Sequence, residues 1–443
     1  MNIFLIGVYI LLVFLIGWWV GRKETDNDFI IASRQVGVLR TTSSMFAVLG
    51  GLVLAGQATL AFVIGAGAMW LWIGLALGMI ILGTFSAKVK YINDKDDLVT
   101  MGGYFKSRWG KNSGLISSSI IFVGFFSLLT AQFIIAGNIL GPYLNISYIS
   151  TILIIGLVVL GYLFLGGYRA VISTDIFQSI LMILILMIVV IVVPFDNFSL
   201  ASLNFFSLDI VSIFIFMIIG IATVLASADL WQRIFSAKNS RVAKQSSYFT
   251  AILFFLFGLA ITFVGLAAFN SFPNANPDSA LYLGIFSLVP EAFLGISIIL
   301  VLSAIMSTID TESFLLSSVV VKDFIPEKFV NKWGIRNTMR GSFFVLILLA
   351  ILLAIFVNNI LIILFGIISL IMSLSSVIFG SLFWKLKSNA VNISMLGGVM
   401  TLLVLFVIGK FNTDTAVLTL PVSLVLLIGG QIFLKNKKIN TIS

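Results

Sequence analysis

Thirteen apolar runs recur along this chain, each close to or above the roughly 20 residues a helix needs to cross a bilayer. They lie near residues 2–21, 40–66, 69–89, 114–141, 147–167, 171–194, 209–228, 246–269, 287–321, 338–357, 360–384, 390–409 and 415–434. No other sequence feature restricts the possible folds as much. Across 443 residues the chain is 60% hydrophobic and 10% charged, with a mean hydropathy of +1.18. A soluble domain carries roughly 25% charged residues, so only lipid tolerates the surface such a chain must expose. The expectation is an all-α membrane protein of about thirteen transmembrane helices.

The basic residues test that count. The first run is followed by Arg22 and Lys23, which places the N-terminus outside and the first loop inside. Its length and the Trp18-Trp19 pair do not fit a cleaved signal peptide. Alternating sides from there puts 25 of the 26 Lys and Arg residues in the cytoplasm and leaves Lys410 outside. The net charge of +9 is therefore a topology signal that meets anionic lipid, and it gives no reason to propose nucleic acid. The run at 287–321 exceeds one bilayer, so it tilts or extends into the cytoplasm. The longest loops, 90–113 inside and 270–286 outside, cannot fold alone, and the outer one is rich in turn-formers suited to a lid.

Several chemistries are excluded. Cys and His are both absent, which removes disulfides, thiol catalysis and histidine-based hydrolase or zinc sites. No GxxxxGKS loop is present, so ATP does not drive the protein directly. No nucleophile–base pair points to an enzyme.

Ionisable residues at membrane depth are functional candidates by default. Three acids lie well within the runs, Asp175, Asp310 and Glu312, with no Lys or Arg at mid-depth to pair with them. Unpaired acids there imply a cation partner or a proton. In the ninth run, Ser303, Ser307, Asp310, Thr311 and Phe314 share one helical face. Their hydroxyls and carboxylate are the hard ligands that group 1 and 2 cations prefer, although Ser and Thr also bond their own helix or glue helices together. Thr308 and Glu312 lie on a neighbouring face, where Glu312 either contacts the ion or serves as an interhelical hydrogen-bonding group. In the second run, Gly50-Gly51 favours unwinding and exposed carbonyls, or else close helix packing. Asp175 sits near the start of the sixth run, where it also suits the helix dipole. Asp229 and Arg233, at the end of the seventh, read as a solvated cap or a gate contact.

These stretches resemble a known family. GGYRAVISTDIFQS, SADLWQRIFSAKNSRVAKQ and LSAIMSTIDTESFLLSSVVVKDF are similar to hallmark segments of the sodium:solute symporter family, which includes sodium/proline, sodium/glucose and sodium/sialic acid symporters. FIIASRQVG before the second run fits as well, and the likeness extends over residues 1 to 410. The resemblance implies a LeuT-like fold in a single domain spanning 1–443. An extra N-terminal helix (1–21) would precede inverted five-helix repeats at 34–194 and 205–387, with two further helices in 388–443. It implies a sodium-coupled importer of a small organic solute, with the same fold driven by protons, or serving as a solute sensor, as the alternatives. By the same resemblance, the main sodium site comprises Gly50, Val53, Ala304, Ser307 and Thr308. A second sodium or proton site comprises Asp175, Ser307, Asp310 and Thr311, with the carboxylate of Asp310 where members carry a hydroxyl. The substrate positions are Leu54, Gln57, Gln132, Gly220 and Thr223. These lack the polar cluster of sugar carriers and have no arginine at depth for an acid, which leaves small neutral or zwitterionic solutes, proline-like amino acids first.

Overall fold

The computed structural model describes residues 2–22, 24–48, 51–193, 203–356 and 360–434. Inside a bilayer every backbone polar group must be satisfied within the chain, and the described residues meet this with helices. The N-terminal half comprises α1 (Asn2–Gly21), α2 (Asp26–Ile31), α3 (Val38–Ala47), α4 (Gly51–Ile64), α5 (Met69–Asp96), α6 (Met101–Trp109), α7 (Lys111–Leu144), α8 (Tyr148–Leu165) and α9 (Tyr168–Val192). Next come α10 (Ile210–Leu225), α11 (Ala228–Ser236), α12 (Ser240–Ser271), α13 (Ala280–Tyr282) and α14 (Glu291–Val319). The chain closes with α15 (Glu327–Trp333), α16 (Ile335–Phe356), α17 (Ile360–Phe383), α18 (Ser388–Val407), α19 (Thr413–Ala416) and α20 (Thr419–Phe433).

Side-chain caps close the helix starts that face water. Thr25 forms a capping box with Asp28, and Thr100, Ser147, Asp209 and Asn239 accept from the first-turn amides of α6, α8, α10 and α12.

Among the described residues, ten helices are long and apolar enough to span, or eleven if the bent pair α10–α11 counts as one span. The expected thirteen is thus not reached. The difference lies at three places. The stretch Val53–Asp96 passes as one unit of 44 residues although two runs were expected there, and within it Gly65, at φ 70°, turns the chain between α4 and α5. The seventh run is the bent pair α10–α11. The last run appears as the 15-residue α20, short for a bilayer.

Burial sorts the helices. α1 faces outward, with Phe4, Leu15 and Trp19 exposed. α14 is the central post, packed against α9, α7, α16 and α1, and every residue from Leu300 to Val319 is buried. α5 packs on α10 and α12 through small residues. A β-carbon on Gly220 would lie 2.4 Å from the Leu71 carbonyl oxygen, and one on Gly74 would lie 2.4 Å from that of Met217. Such backbone approach is open only to glycine. The 270–286 segment folds over the bundle, where Thr59 donates to the Pro277 carbonyl and Tyr143 meets Phe286.

Among the described residues one span is broken: helices α10 and α11 meet at a 46° bend around Ala226-Ser227. Helix α3 ends at Ala47 and α4 begins at Gly51, and residues 49–50 between them lie outside the described residues. A residue just before α3 and the residue after α11 meet directly: Val36 and Ala237 form a parallel β-bridge, with Val36 N–H donating to Ser236 O (3.2 Å) and Lys238 N–H to Val36 O (2.9 Å). Arg34 and Lys90 both donate to the carbonyl of Phe235 at the end of α11, as cations at a helix C-terminus should.

Candidate ion and substrate site

The end of α3 leaves backbone carbonyls without partners in their own helix. One of them, Ala47 O, accepts the Ser307 hydroxyl of α14 at 3.0 Å. Ser307 Oγ is also 3.1 Å from Ala304 O, and Thr308 Oγ1 donates to the same carbonyl at 2.9 Å. Four neutral oxygens, two carbonyl and two hydroxyl, therefore gather where the end of α3 meets α14. All four residues are buried. These four oxygens carry no formal charge, an arrangement that suits a weakly held monovalent cation better than a divalent one.

The expected residues fall unevenly around this point. Ala304, Ser307 and Thr308 come together. Gly50 lies outside the described residues. Val53 is half-buried inside α4, where the helix ladder takes backbone carbonyls. Of the substrate positions, Leu54 is buried and Gln57 donates to Thr262 Oγ1 of α12 at 2.7 Å. Gln132 is buried in α7 with neither amide atom bonded to protein, the state expected of a group that waits for a ligand. Thr223 is half-buried on α10. Gly220 lies directly against the backbone of α5.

A second polar cluster adjoins the first and corrects two expectations. Asp175 is not unpaired: Arg233 of α11 forms an ion pair with it at 3.4 Å, with both side chains fully buried. Nor is Arg233 part of a solvated cap, because the bend between α10 and α11 turns it inward. Its Nε donates to Ser44 Oγ (3.0 Å), its Nη2 to Thr311 Oγ1 (2.6 Å) and its Nη1 to Asp229 O (3.3 Å). Ser44 in turn donates to Asp175. The guanidinium lies 5.8 Å from the Tyr168 ring centroid, within cation–π range. Asp229 is buried too and accepts from Ser227 and from the Leu230 amide.

Asp310 points elsewhere. It accepts from Tyr162 OH at 2.9 Å and lies 3.4 Å from Thr174 Oγ1. Glu312 is buried with neither carboxyl oxygen bonded to protein. Ser44, Ala47, Tyr162, Thr174 and the inward role of Arg233 were missed in the sequence. The available signal for Arg233 was its i,i+4 spacing from Asp229 on a helix opening with an acid.

Comparison with known proteins agrees with this architecture. A model described as the sodium:solute symporter family matches residues 29–207. The osmoregulated proline transporter OpuE of Bacillus subtilis (strain 168) is 25% identical over 385 residues, covering 80% of this chain and 77% of that protein. The sodium/proline symporter of Staphylococcus aureus (strain JH9) is 31% identical over 188 residues, 41% of this chain and 37% of that one. Among solved structures, a Na+-coupled sialic acid symporter in a substrate-bound outward-open state superposes with a TM-score of 0.79 at 18% identity, over 99% of this chain and 98% of that one. The nucleobase-cation-symport-1 transporter MHP1, in a closed conformation, reaches 0.53 at 16% identity, over 90% and 93%. At these identities the structures establish a shared LeuT-like fold.

Proposed function

We propose that this chain, which belongs to the sodium:solute symporter family, is a sodium-coupled secondary active symporter that imports a small zwitterionic amino acid of the proline type. It is a carrier, not an enzyme. The observation that carries the reading is the Ala47 carbonyl held at Ser307. There a cation ties the end of α3 to the central post. We assign sodium to Ala47, Ala304, Ser307 and Thr308, with Gly50, outside the described residues, kept as the carbonyl the family resemblance implies. Ala47 is preferred to Val53 because Val53 lies inside α4. Sodium bound there favours the conformation that receives solute, and the solute raises sodium affinity by the same factor. Inward movement of one charge gains about 2.3 kcal/mol per 100 mV.

The solute is assigned to the neighbourhood of Leu54, Gln57, Gln132 and Thr223, with the Gln132 amide as its main polar contact. The proline class rests on the relatives named above. The repeats are taken as 34–194 and 205–387 within the single domain 1–443, and the basic end of the bundle is placed in the cytoplasm with the N-terminus outside.

The test is uptake of L-proline into proteoliposomes at fixed pH, with sodium or with choline. Accumulation that requires sodium is expected. Full uptake in choline would replace sodium with a proton as the driving ion, and Glu312, buried without a partner, would then be the first residue to examine. A thermal-shift panel of amino acids, sugars and carboxylates, with and without sodium, identifies the solute and reports coupling together.

A further inference from the structure

Where α6, the start of α7 and the end of α14 meet, a cleft of about 60 Å³ opens at the basic end of the bundle. It has room for about four water-sized groups, the bulk of one phosphate. Each element sends one lysine to it: Lys106 from α6, Lys111 from α7, and Lys322 from the turn Val320–Phe324 that continues α14. All three are exposed, and none forms an ion pair among the described residues. The acid of the cleft, Asp323, is occupied by hydroxyls. Ser118 donates to one of its oxygens at 2.7 Å and Thr100 to the other at 2.8 Å, while Lys106 and Lys322 act on it only through space. Three positive charges thus face one negative charge. Small residues bring the elements this close. A β-carbon on Gly102 would fall 1.8 Å from Ser118 Oγ, and one on Gly114 would fall 2.6 Å from the β-carbon of Lys106. No side chain caps the start of α7, so its first amides add to the positive field.

An apolar stripe leads away from this charge. Leu115, Phe122 and Phe126 follow at i, i+7 and i+11 down one face of the spanning helix α7. Leu115 lines the cleft and is exposed, as is Phe324 beside it. Phe122 meets Phe324 at 6.0 Å and Phe126 at 5.8 Å. Positive charge at the membrane edge with an apolar track running inward matches a phospholipid, head above tail. A free anion would use the upper part alone.

We propose that this cleft binds an anionic glycerophospholipid, its phosphate among Lys106, Lys111 and Lys322 and an acyl chain along Leu115, Phe122 and Phe324. Basic pockets between spanning helices favour such headgroups. A zwitterionic headgroup is disfavoured, because it brings an ammonium of its own to a cleft that is already positive. The bound headgroup joins α6 and α7 to the end of α14, beside the hydroxyls that hold Asp323. The proposal rests on the membrane reading and needs neither the sodium nor the solute assignment.

The test follows energy transfer from the tryptophans of the purified full-length protein, in nonionic detergent, to tail-labelled phosphatidylglycerol. The competitors are unlabelled phosphatidylglycerol, phosphatidylcholine with the same acyl chains, and inorganic phosphate at constant ionic strength. Phosphatidylglycerol is expected to compete at least about tenfold better than phosphatidylcholine, and inorganic phosphate is expected not to compete. Lys106→Gln, Lys111→Gln and Lys322→Gln combined should abolish the preference. Lys95→Gln, Lys238→Gln and Lys332→Gln combined, which take the same charge from exposed positions elsewhere at the basic end, should keep it. If the cleft variant does not fold, Lys111→Gln alone carries the test, with an expected loss of about fivefold in affinity. Equal competition by the two lipids overturns the proposal, as does a cleft variant that keeps the preference. Loss of the preference in both triple variants overturns it too, since the attraction would then belong to the whole basic end. Displacement by inorganic phosphate would make this a site for a free anion and overturn the lipid assignment.

Discussion

Two polar clusters lie side by side between α3 and α14, and they are built on opposite principles. At Ala47, Ala304, Ser307 and Thr308 the protein supplies oxygens and no charge of its own. At Asp175, Ser44 and Thr311 it supplies similar oxygens together with the cation that satisfies them. The first offers its oxygens with no resident counter-charge, whereas in the second the counter-charge is held to α11 by a covalent leash.

The sharpest way to break that contrast is to remove the leash. In sodium-free buffer, Arg233→Gln leaves Asp175 buried without its partner and is expected to lose about 3–5 kcal/mol of stability. Added sodium should restore part of it by mass action. A melting curve in choline equal to that of the wild type would show that the pair is not structural. A control away from both clusters comes next. Gly220→Ala forces a β-carbon onto the backbone of α5, and overpacking of this kind costs about 1–3 kcal/mol. The expected result is a lower melting temperature in detergent with unchanged solute selectivity in the protein that folds. Altered selectivity would return Gly220 to the substrate site.

Ser307→Ala combined with Thr308→Ala strips the neutral cluster of its hydroxyls. The sodium concentration for half-maximal uptake should rise at least about tenfold, equivalent to about 1.4 kcal/mol, with folding intact. Unchanged sodium dependence would show that the ion binds elsewhere. The smallest effect concerns Glu24, in the loop before α2. Burial raises its pKa above the ordinary 4.5, against the Gly167 amide bond and nearby Arg169, which pull it down. A raised carboxyl pKa means that the fold favours the protonated form, so its stabilising contribution is full below pH 4.5 and falls as pH rises through the shifted value. Glu24→Gln should match the wild type at pH 4 and melt higher than it at pH 8. A constant difference between the two would rule out this titration.

Hydropathy and the side-to-side swing of basic residues made the membrane class and most helices readable, because both follow from transfer energies that act on each residue separately. The count blurred where geometry intervened. The turn at Gly65 and the short α20 are matters of angle and length that composition does not encode. The polar stripe on the ninth run pointed to Ser307 but left Thr308 on a neighbouring face, where only the family resemblance named it. Helix α14 is buried on all sides from Leu300 to Val319, so one face had no privilege over another. The Gly50-Gly51 pair drew attention to the stretch after α3 but not to the Ala47 carbonyl at the end of that helix. Arg233 was misread for a related reason. A linear count places it at the water's edge, and only a 46° bend turns it inward.

The bridge between Val36 and Ala237 has a mechanical meaning. It splices the lead-in of α3 to the tail of α11 by two backbone hydrogen bonds, and Arg34 and Lys90 clamp the adjoining helix end. The start of α3 and the end of α11 are thereby joined at one point, and Arg233 of α11 contacts Ser44 of α3 from the same side of that joint.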